Sequence, residues 1–319
     1  MKTFRPNDLM YPEHPSDILS RAAYLADEDC HFALITSLEI EGGAAREVGS
    51  LAIVEKTGSM TGYLSNGCID RDIQHHALDA LQSGQKKLIR YGDGARYADL
   101  KLPCGGALSV LIDPAPDIQA INQAAGRLID RKPVNLLFEV MEDVGTLISK
   151  RFTYTPRHRL VLAGRGAIFR AMAQVGYITG FDVHLLSPET EDLAAVSHLS
   201  SLSPIHLTTP NSGQALRMLD AYSAFVTLFH DHDWEPSLLN AALKTPACFI
   251  GSLGSRRTHE MRRETLRQMG ISEASLSRLR GPIGLVPSLR DAPSIALSTL
   301  AEVIAAFRVI DGSTHLIES

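Results

Sequence analysis

The chain has 319 residues, 45% of them hydrophobic and 21% charged, with a formal net charge of −5. That length allows about two domains with sizeable cores, and the charge excludes a bulk basic field for holding nucleic acid. No apolar run reads as reaching the roughly 18–20 residues that span a bilayer, and Cys30, Cys68, Cys104 and Cys248 are too widely spaced for a disulfide framework or a structural zinc site.

The start, Met1–Pro6, lacks the apolar core of a secretory signal, so the expected compartment is the cytoplasm, with no membrane partner. Residues 1–14 read as an irregular arm. Ser16 is a candidate cap for a helix from Asp17 to about Asp29, with Ile18, Ala22 and Leu25 on one face. His31–Leu38 has the pattern of a buried strand. Glu41-Gly42-Gly43 is a turn, and Val48–Glu55 a second strand, together a hairpin. A stretch rich in glycine and serine, 57–67, leads into Ser65-Asn66-Gly67-Cys68. From there Ile69, Ile73, Ala77, Ala80 and Leu81 form a helical stripe. Cys68 therefore falls at or near a helix N-terminus. Free N–H groups and the helix dipole favour a thiolate there, while Asp70 and Asp72 oppose it.

Lys87–Tyr91 is a short strand. Beyond a polar loop lies Leu102-Pro103-Cys104-Gly105-Gly106, followed by the strand Ala107–Ile112. Pro103 fixes its own φ, and the two glycines admit positive φ and close backbone approach. A thiol in such a turn is presented, not packed. Cys30 and Cys248, beside or inside apolar strands, read as structural. A helix at 117–130 and the strands Val134–Val140 and Gly145–Phe152 complete an α+β domain at 1–155.

After Pro156 strands and helices alternate. The strand Leu160–Ala163, the turn Gly164-Arg165-Gly166, a helix at 167–179 and the strand Phe181–Leu186 form the opening of a Rossmann unit. Further units follow: strand Ile205–Thr208, helix Gly213–Asp220, strand Ala224–Phe229, helix Glu235–Leu243, strand Ala247–Ile250, and a long helix from about Ser255. The fold class is thus α/β: an N-terminal α+β domain, then a Rossmann-like parallel-sheet domain at 156–319.

Three stretches of this second domain carry chemistry. Gly164 and Gly166 fit the first two glycines of a dinucleotide fingerprint, but Phe169 takes the place of the third. A phenylalanine there should make the helix stand off from its strand. Ser187-Pro188 replaces the ribose-binding acid. Ordinary NAD binding is therefore disfavoured, while a phosphate at this helix start, helped by Arg165, stays open. His230-Asp231-His232-Asp233 follows a strand end at the ligand side of the sheet. It suits a metal or phosphate and hydroxyl groups, or else Asp231 or Asp233 caps the next helix beside solvated histidines. Gly251-Ser252-Leu253-Gly254-Ser255-Arg256-Arg257 joins a strand to a helix. The coincidence of turn, helix start, hydroxyl and two guanidinium groups favours an anion site over a solvated turn.

Taken in order, Ser65–Cys68, Leu102–Gly106, Phe229–His232, Ile250–Arg257, Pro282–Leu285 and Ile295–Glu302 resemble the XdhC/CoxI accessory proteins of molybdenum hydroxylases. Departures from that pattern fall at Phe169, Ser187 and Ser294. The resemblance implies a carrier that binds molybdenum cofactor, as molybdopterin or its dinucleotide form, supports addition of its terminal sulfur, and delivers it without turnover of its own. The implied partners are an apo molybdenum hydroxylase, a cysteine desulfurase and a second copy of the chain as homodimer. Cys68 and Cys104, with Gly105 and Gly106, would meet the molybdenum end, since thiolates suit a soft metal. Gly164, Arg165, Gly166, His230, Asp231, His232, Gly254, Ser255, Arg256 and Arg257 would meet the rest. The competing readings are an NAD(P)-dependent oxidoreductase and a metal-dependent hydrolase at His230–Asp233.

Overall fold

The computed structural model describes residues 12–43, 46–65, 67–93, 105–141, 145–229 and 233–314. The chain divides into two compact units, 1–156 and 157–319.

The first unit runs α1 (Pro15–Asp27), β1 (Phe32–Glu41), β2 (Leu51–Glu55), β3 (Met60–Thr61), α2 (Asp70–Ser83), β4 (Lys87–Gly92), β5 (Ala107–Asp113), α3 (Ile118–Ile129), β6 (Val134–Met141) and β7 (Leu147–Tyr154). Five strands form an antiparallel sheet in the order β3-β2-β1-β5-β4, and β6 and β7 form a separate ribbon. The unbroken apolar run of β1 reflects burial on both faces. Phe32 and Leu34 join a core with Ile18, Leu19, Ile121 and Phe138 from α1, α3 and the ribbon. Ala33 and Ile35 join the opposite core with Ile73, Ala77 and Val110, under α2. The cap of α1 differs from expectation. His14, not Ser16, is the N-cap, and its Nδ1 accepts from the Ser16 N–H at 3.1 Å. Pro15 suits the first helical position, which moves the start back by two residues.

The second unit runs β8 (Arg159–Gly164), α4 (Gly166–Ile178), β9 (Asp182–Ser187), α5 (Thr190–Val196), β10 (Ile205–His206), β11 (Ser223–Leu228), α6 (Glu235–Leu243), β12 (Phe249–Ser252), α7 (Arg256–Gln268), α8 (Glu273–Leu276), β13 (Leu279–Arg280) and α9 (Ala292–Thr314). The sheet is parallel throughout, in the order β10-β9-β8-β11-β12-β13. Counted within the unit this is 3-2-1-4-5-6, the doubly wound dinucleotide-type order. One face packs on α4 and α9, the other on α6 and α7.

Two expectations are corrected here. The helix expected over 213–220 is a single 3-10 turn, Gly213–Leu216. Its first residue, Gly213, is a poor helix former and lies close against α6, where a Cβ would meet that of Ala241 at 2.9 Å. An apolar helix of spanning length also exists. In α9, residues 292–309 have a mean hydropathy of 1.4. Its buried positions Ala296, Leu300, Val303 and Phe307 recur at helical spacing and enter the core beside Phe169 and Met172. They form the packing stripe of a core helix.

Candidate functional site

In the first unit, Cys68 lies at the end of a loop built on one carboxylate. Asp70, in the first turn of α2, accepts from the backbone N–H groups of Leu64 (2.9 Å), Ser65 (3.1 Å) and Gly67 (3.0 Å). The Ser65 hydroxyl donates to the same carboxylate at 2.8 Å and accepts from the Ile69 N–H at 3.1 Å. Gly67 supplies a left-handed residue, φ 88°. Leu64 and Ile69 are buried on either side. Cys68, between exposed Gly67 and buried Ile69, is exposed and free. Its position is thus set by α2 and not by the cysteine itself.

The second acid is also committed. Asp72 accepts from the Tyr91 hydroxyl at 2.8 Å, with His76 Nε2 at 3.4 Å. Burial first, then this carboxylate, hold the Tyr91 hydroxyl far above its ordinary range. The bond ties the N-terminus of α2 to the end of β4, where Tyr91 pairs with Leu108 and Gly92 with Ala107. The Cys68 loop and the start of β5 therefore share one end of the sheet. Gly106 makes that junction possible. A Cβ there would lie 2.5 Å from the Glu41 carbonyl oxygen and 2.9 Å from that of Gly43. Gly105 is exposed with φ 70°. Cys104 lies outside the described residues. Of the other cysteines, Cys248 packs beside the Rossmann core, but Cys30 is exposed, with its Sγ donating to the Glu28 carbonyl at 3.6 Å. It follows α1 in the turn before β1, outside the buried run, so it has no structural packing role.

In the second unit, the first glycine turn, where Gly164, Arg165 and Gly166 are expected to meet an anion, has its donors engaged by side chains of the chain itself. The Gly166 N–H donates to Asp192 Oδ2 at 2.6 Å, and Arg170 Nε donates to Oδ1 at 2.6 Å. Arg165 pairs with Glu189 at 3.1 Å. Gly164 serves packing: a Cβ would lie 2.6 Å from Leu228 Cβ and 2.8 Å from its carbonyl oxygen. Ser187 is buried, its hydroxyl accepting from the Glu189 N–H at 3.0 Å. Phe169 does not hold α4 off the sheet. It is fully buried in the core, a contribution of roughly 1.5–3 kcal/mol. The close helix–strand approach falls two turns later at Gly176, where a Cβ would meet Leu160 Cδ2 at 2.6 Å.

The second glycine turn, between β12 and α7, is open. Ser255 caps α7 by accepting from the Thr258 N–H at 3.1 Å. Gly254 has φ 144°. Arg256 and Arg257 are exposed, with no ion pair among the described residues. A cleft of about 630 Å³ is lined by Leu253, Gly254, Ser255 and Arg256 on one side and by Gly284 and Ser298 on the other. Beneath the turn lies a polar network that sequence reasoning missed. Arg262 and Glu235, each side chain 2% exposed, are paired at 2.9 Å. Arg262 Nη2 also donates to the Leu253 carbonyl at 2.8 Å. The other Glu235 oxygen accepts from Thr227 at 2.8 Å and from Ser252 at 2.7 Å. The signal was a hydroxyl residue near the C-terminal end of each of two adjacent apolar strands, Thr227 and Ser252, which a buried partner has to satisfy. Arg262 Nη1 is buried without a hydrogen-bond partner among the described residues.

His230, Asp231 and His232 lie outside the described residues. Asp233 is exposed and does not cap α6, whose N-cap is Trp234 with no side-chain bond.

Residues 160–303 match the family model described as the XdhC Rossmann domain, and residues 25–92 match that of the XdhC and CoxI family. The molybdenum cofactor insertion chaperone PaoD of Escherichia coli (strain K12) is 32% identical over 281 residues, covering 85% of this chain and 81% of that protein. A probable xanthine dehydrogenase component of Bacillus subtilis (strain 168) is 24% identical over 327 residues, 88% of this chain and 94% of that one. The crystal structure of a xanthine dehydrogenase from Bacillus halodurans has the same fold, with a TM-score of 0.72 at 19% identity, over 91% of this chain and 96% of that one. With both units matched and PaoD aligned over most of its length, this chain belongs to the XdhC and CoxI family.

Proposed function

We propose that the chain takes molybdenum cofactor as cargo and delivers it to an apo molybdenum hydroxylase. One observation carries the reading: an exposed thiol, Cys68, stands on a loop that four hydrogen bonds to Asp70 hold in place. A thiolate is a soft ligand suited to a molybdenum–sulfur centre. Cys104 is the second thiol of the proposal, supported by the position of Gly105 and Gly106 at the same sheet end. For the phosphate of the cargo, whether molybdopterin or a dinucleotide form, the donors are Gly254, Ser255, Arg256 and Arg257 at the open turn. His230, Asp231 and His232 stay in the proposal on sequence grounds alone. The finer part of the proposal is sulfuration of the cofactor before handover, with a cysteine desulfurase as sulfur donor. Free thiols of this kind suit a reducing compartment such as the cytoplasm. Whether the carrier works as a homodimer is read by sedimentation with and without cargo.

The test is reconstitution of apo-hydroxylase activity by cofactor-loaded protein, with mass spectrometry of the small molecules that stay bound. Cys68→Ser and Cys104→Ser should retain folding and lose most of the cofactor binding or transfer. Cys30→Ser and Cys248→Ser should behave as the unmodified protein. Full reconstitution by both Cys68→Ser and Cys104→Ser would remove the thiols from the mechanism.

A further inference from the structure

The first glycine turn already holds an anion, and that anion belongs to the chain. In a dinucleotide-binding Rossmann unit the pyrophosphate lies against the N–H groups that open the helix after the first strand. Here α4 offers that start, and the Gly166 N–H already donates to Asp192 at 2.6 Å. The second oxygen of the carboxylate takes Arg170 Nε at 2.6 Å, so one small anion engages a backbone donor and a guanidinium together. Asp192 is only 6% exposed and sits in the first turn of its own helix, where the dipole also favours it. Its neighbours add to the same field. Glu189 pairs with Arg165 at 3.1 Å, and Glu191 lies 3.5 Å from Arg170. The Ser187 hydroxyl fastens this acidic segment to the end of β9 through the Glu189 N–H.

We propose that Asp192 is a specificity-determining residue that shuts nicotinamide dinucleotides out of the β8–α4 turn by filling the pyrophosphate position with its own carboxylate. A ligand pyrophosphate at this turn would have to expel a buried, doubly bound carboxylate and then sit beside two more acids. Like charges placed together select against a ligand as effectively as good contacts select for one. If the delivery reading holds, the phosphates of the cargo must be met elsewhere, and the β12–α7 turn is open to them.

The experiment uses the full chain and titrates NAD and ADP-ribose, following heat by calorimetry and the Gly166 amide by NMR. The unmodified protein should show no Gly166 response at millimolar ligand. Asp192→Ala should gain binding by at least tenfold, with the Gly166 amide shifting. Asp192→Asn, which keeps the shape and removes the charge, should gain less. If the alanine variant does not fold, the asparagine variant decides alone. A Gly166 shift in the unmodified protein at the affinity of the variants would overturn the proposal, as would a folded Asp192→Asn protein that gains nothing. Cofactor retention by the unmodified protein is a separate measurement, so failure here and failure of the delivery reading can be told apart.

Discussion

Two turns on one parallel sheet begin from the same material. Each joins a buried strand to a helix of 13 residues, each has glycine in the bend, and each carries arginine at the helix start. At β8–α4 the acids stand on the open side of the turn, so the backbone donor and the arginines are already engaged. At β12–α7 the acid lies underneath. Glu235 neutralises the buried Arg262 and accepts from Thr227 and Ser252, and the exposed Arg256 is left facing a cleft, with Arg257 exposed next to it in the chain. Glycine and a helix start therefore do not make an anion site. The side from which a carboxylate approaches decides it.

The sharpest way to break this comparison is to remove the acid beneath the open turn. Glu235→Ala leaves the Arg262 guanidinium buried without its counter-ion, which should cost about 3–5 kcal/mol of stability in urea unfolding. A loss below about 1 kcal/mol would mean that the network does not hold up the turn. A smaller effect is expected on the exposed side. The double variant Arg256→Ala/Arg257→Ala should bind pyrophosphate roughly tenfold more weakly per arginine. Its unfolding midpoint should stay unchanged, because both side chains are exposed. Equal affinity would return these arginines to the solvated surface and make the two turns alike.

The smallest effect is a pH dependence. His259 lies on α7 one turn before Arg262. Burial first, then the Arg262 and Arg263 guanidinium groups, hold its imidazole below the ordinary value, against a weaker pull from Glu260. The unfolded chain then takes up this proton more readily than the folded one. The contribution of His259 is fully present above about pH 6.5 and is lost as pH falls through the folded value. Stability measured from pH 7.5 downwards should fall more steeply for the unmodified protein than for His259→Phe. Parallel curves would show that the ring is solvated in both states.

What was legible in the sequence was local. The strand and helix alternation after Pro156, the span of α6 and the start of α7 at about Ser255 follow from periodicity and turn signals within a few residues. What was not legible depends on partners far along the chain. Asp192 reaches Gly166 across 26 residues, and no spacing rule marks it. Glycine in the third fingerprint position looked necessary for close packing, yet the approach is made at Gly176, because the buried Phe169 fits between α4 and α9. Asp70 and Asp72 read as charges opposing a thiolate, whereas their hydrogen bonds to the loop and to Tyr91 give each a structural task. The apolar composition of α9 was visible residue by residue, but its length emerged only once the helix was seen to be continuous.

The Asp70 knot has a consequence for timing. Ordering a loop at the moment of contact costs roughly 1–2 kcal/mol of backbone entropy per residue. Leu64, Ser65, Gly67 and Ile69 are already held by these hydrogen bonds before any cargo arrives. If Cys68 meets the cargo as proposed, engagement needs no local freezing, and departure gains no entropy from melting the loop. The dwell time of the cargo is then governed by the contacts it makes and by the receiving protein that competes for them, which is what a carrier needs if its load is to leave only on delivery.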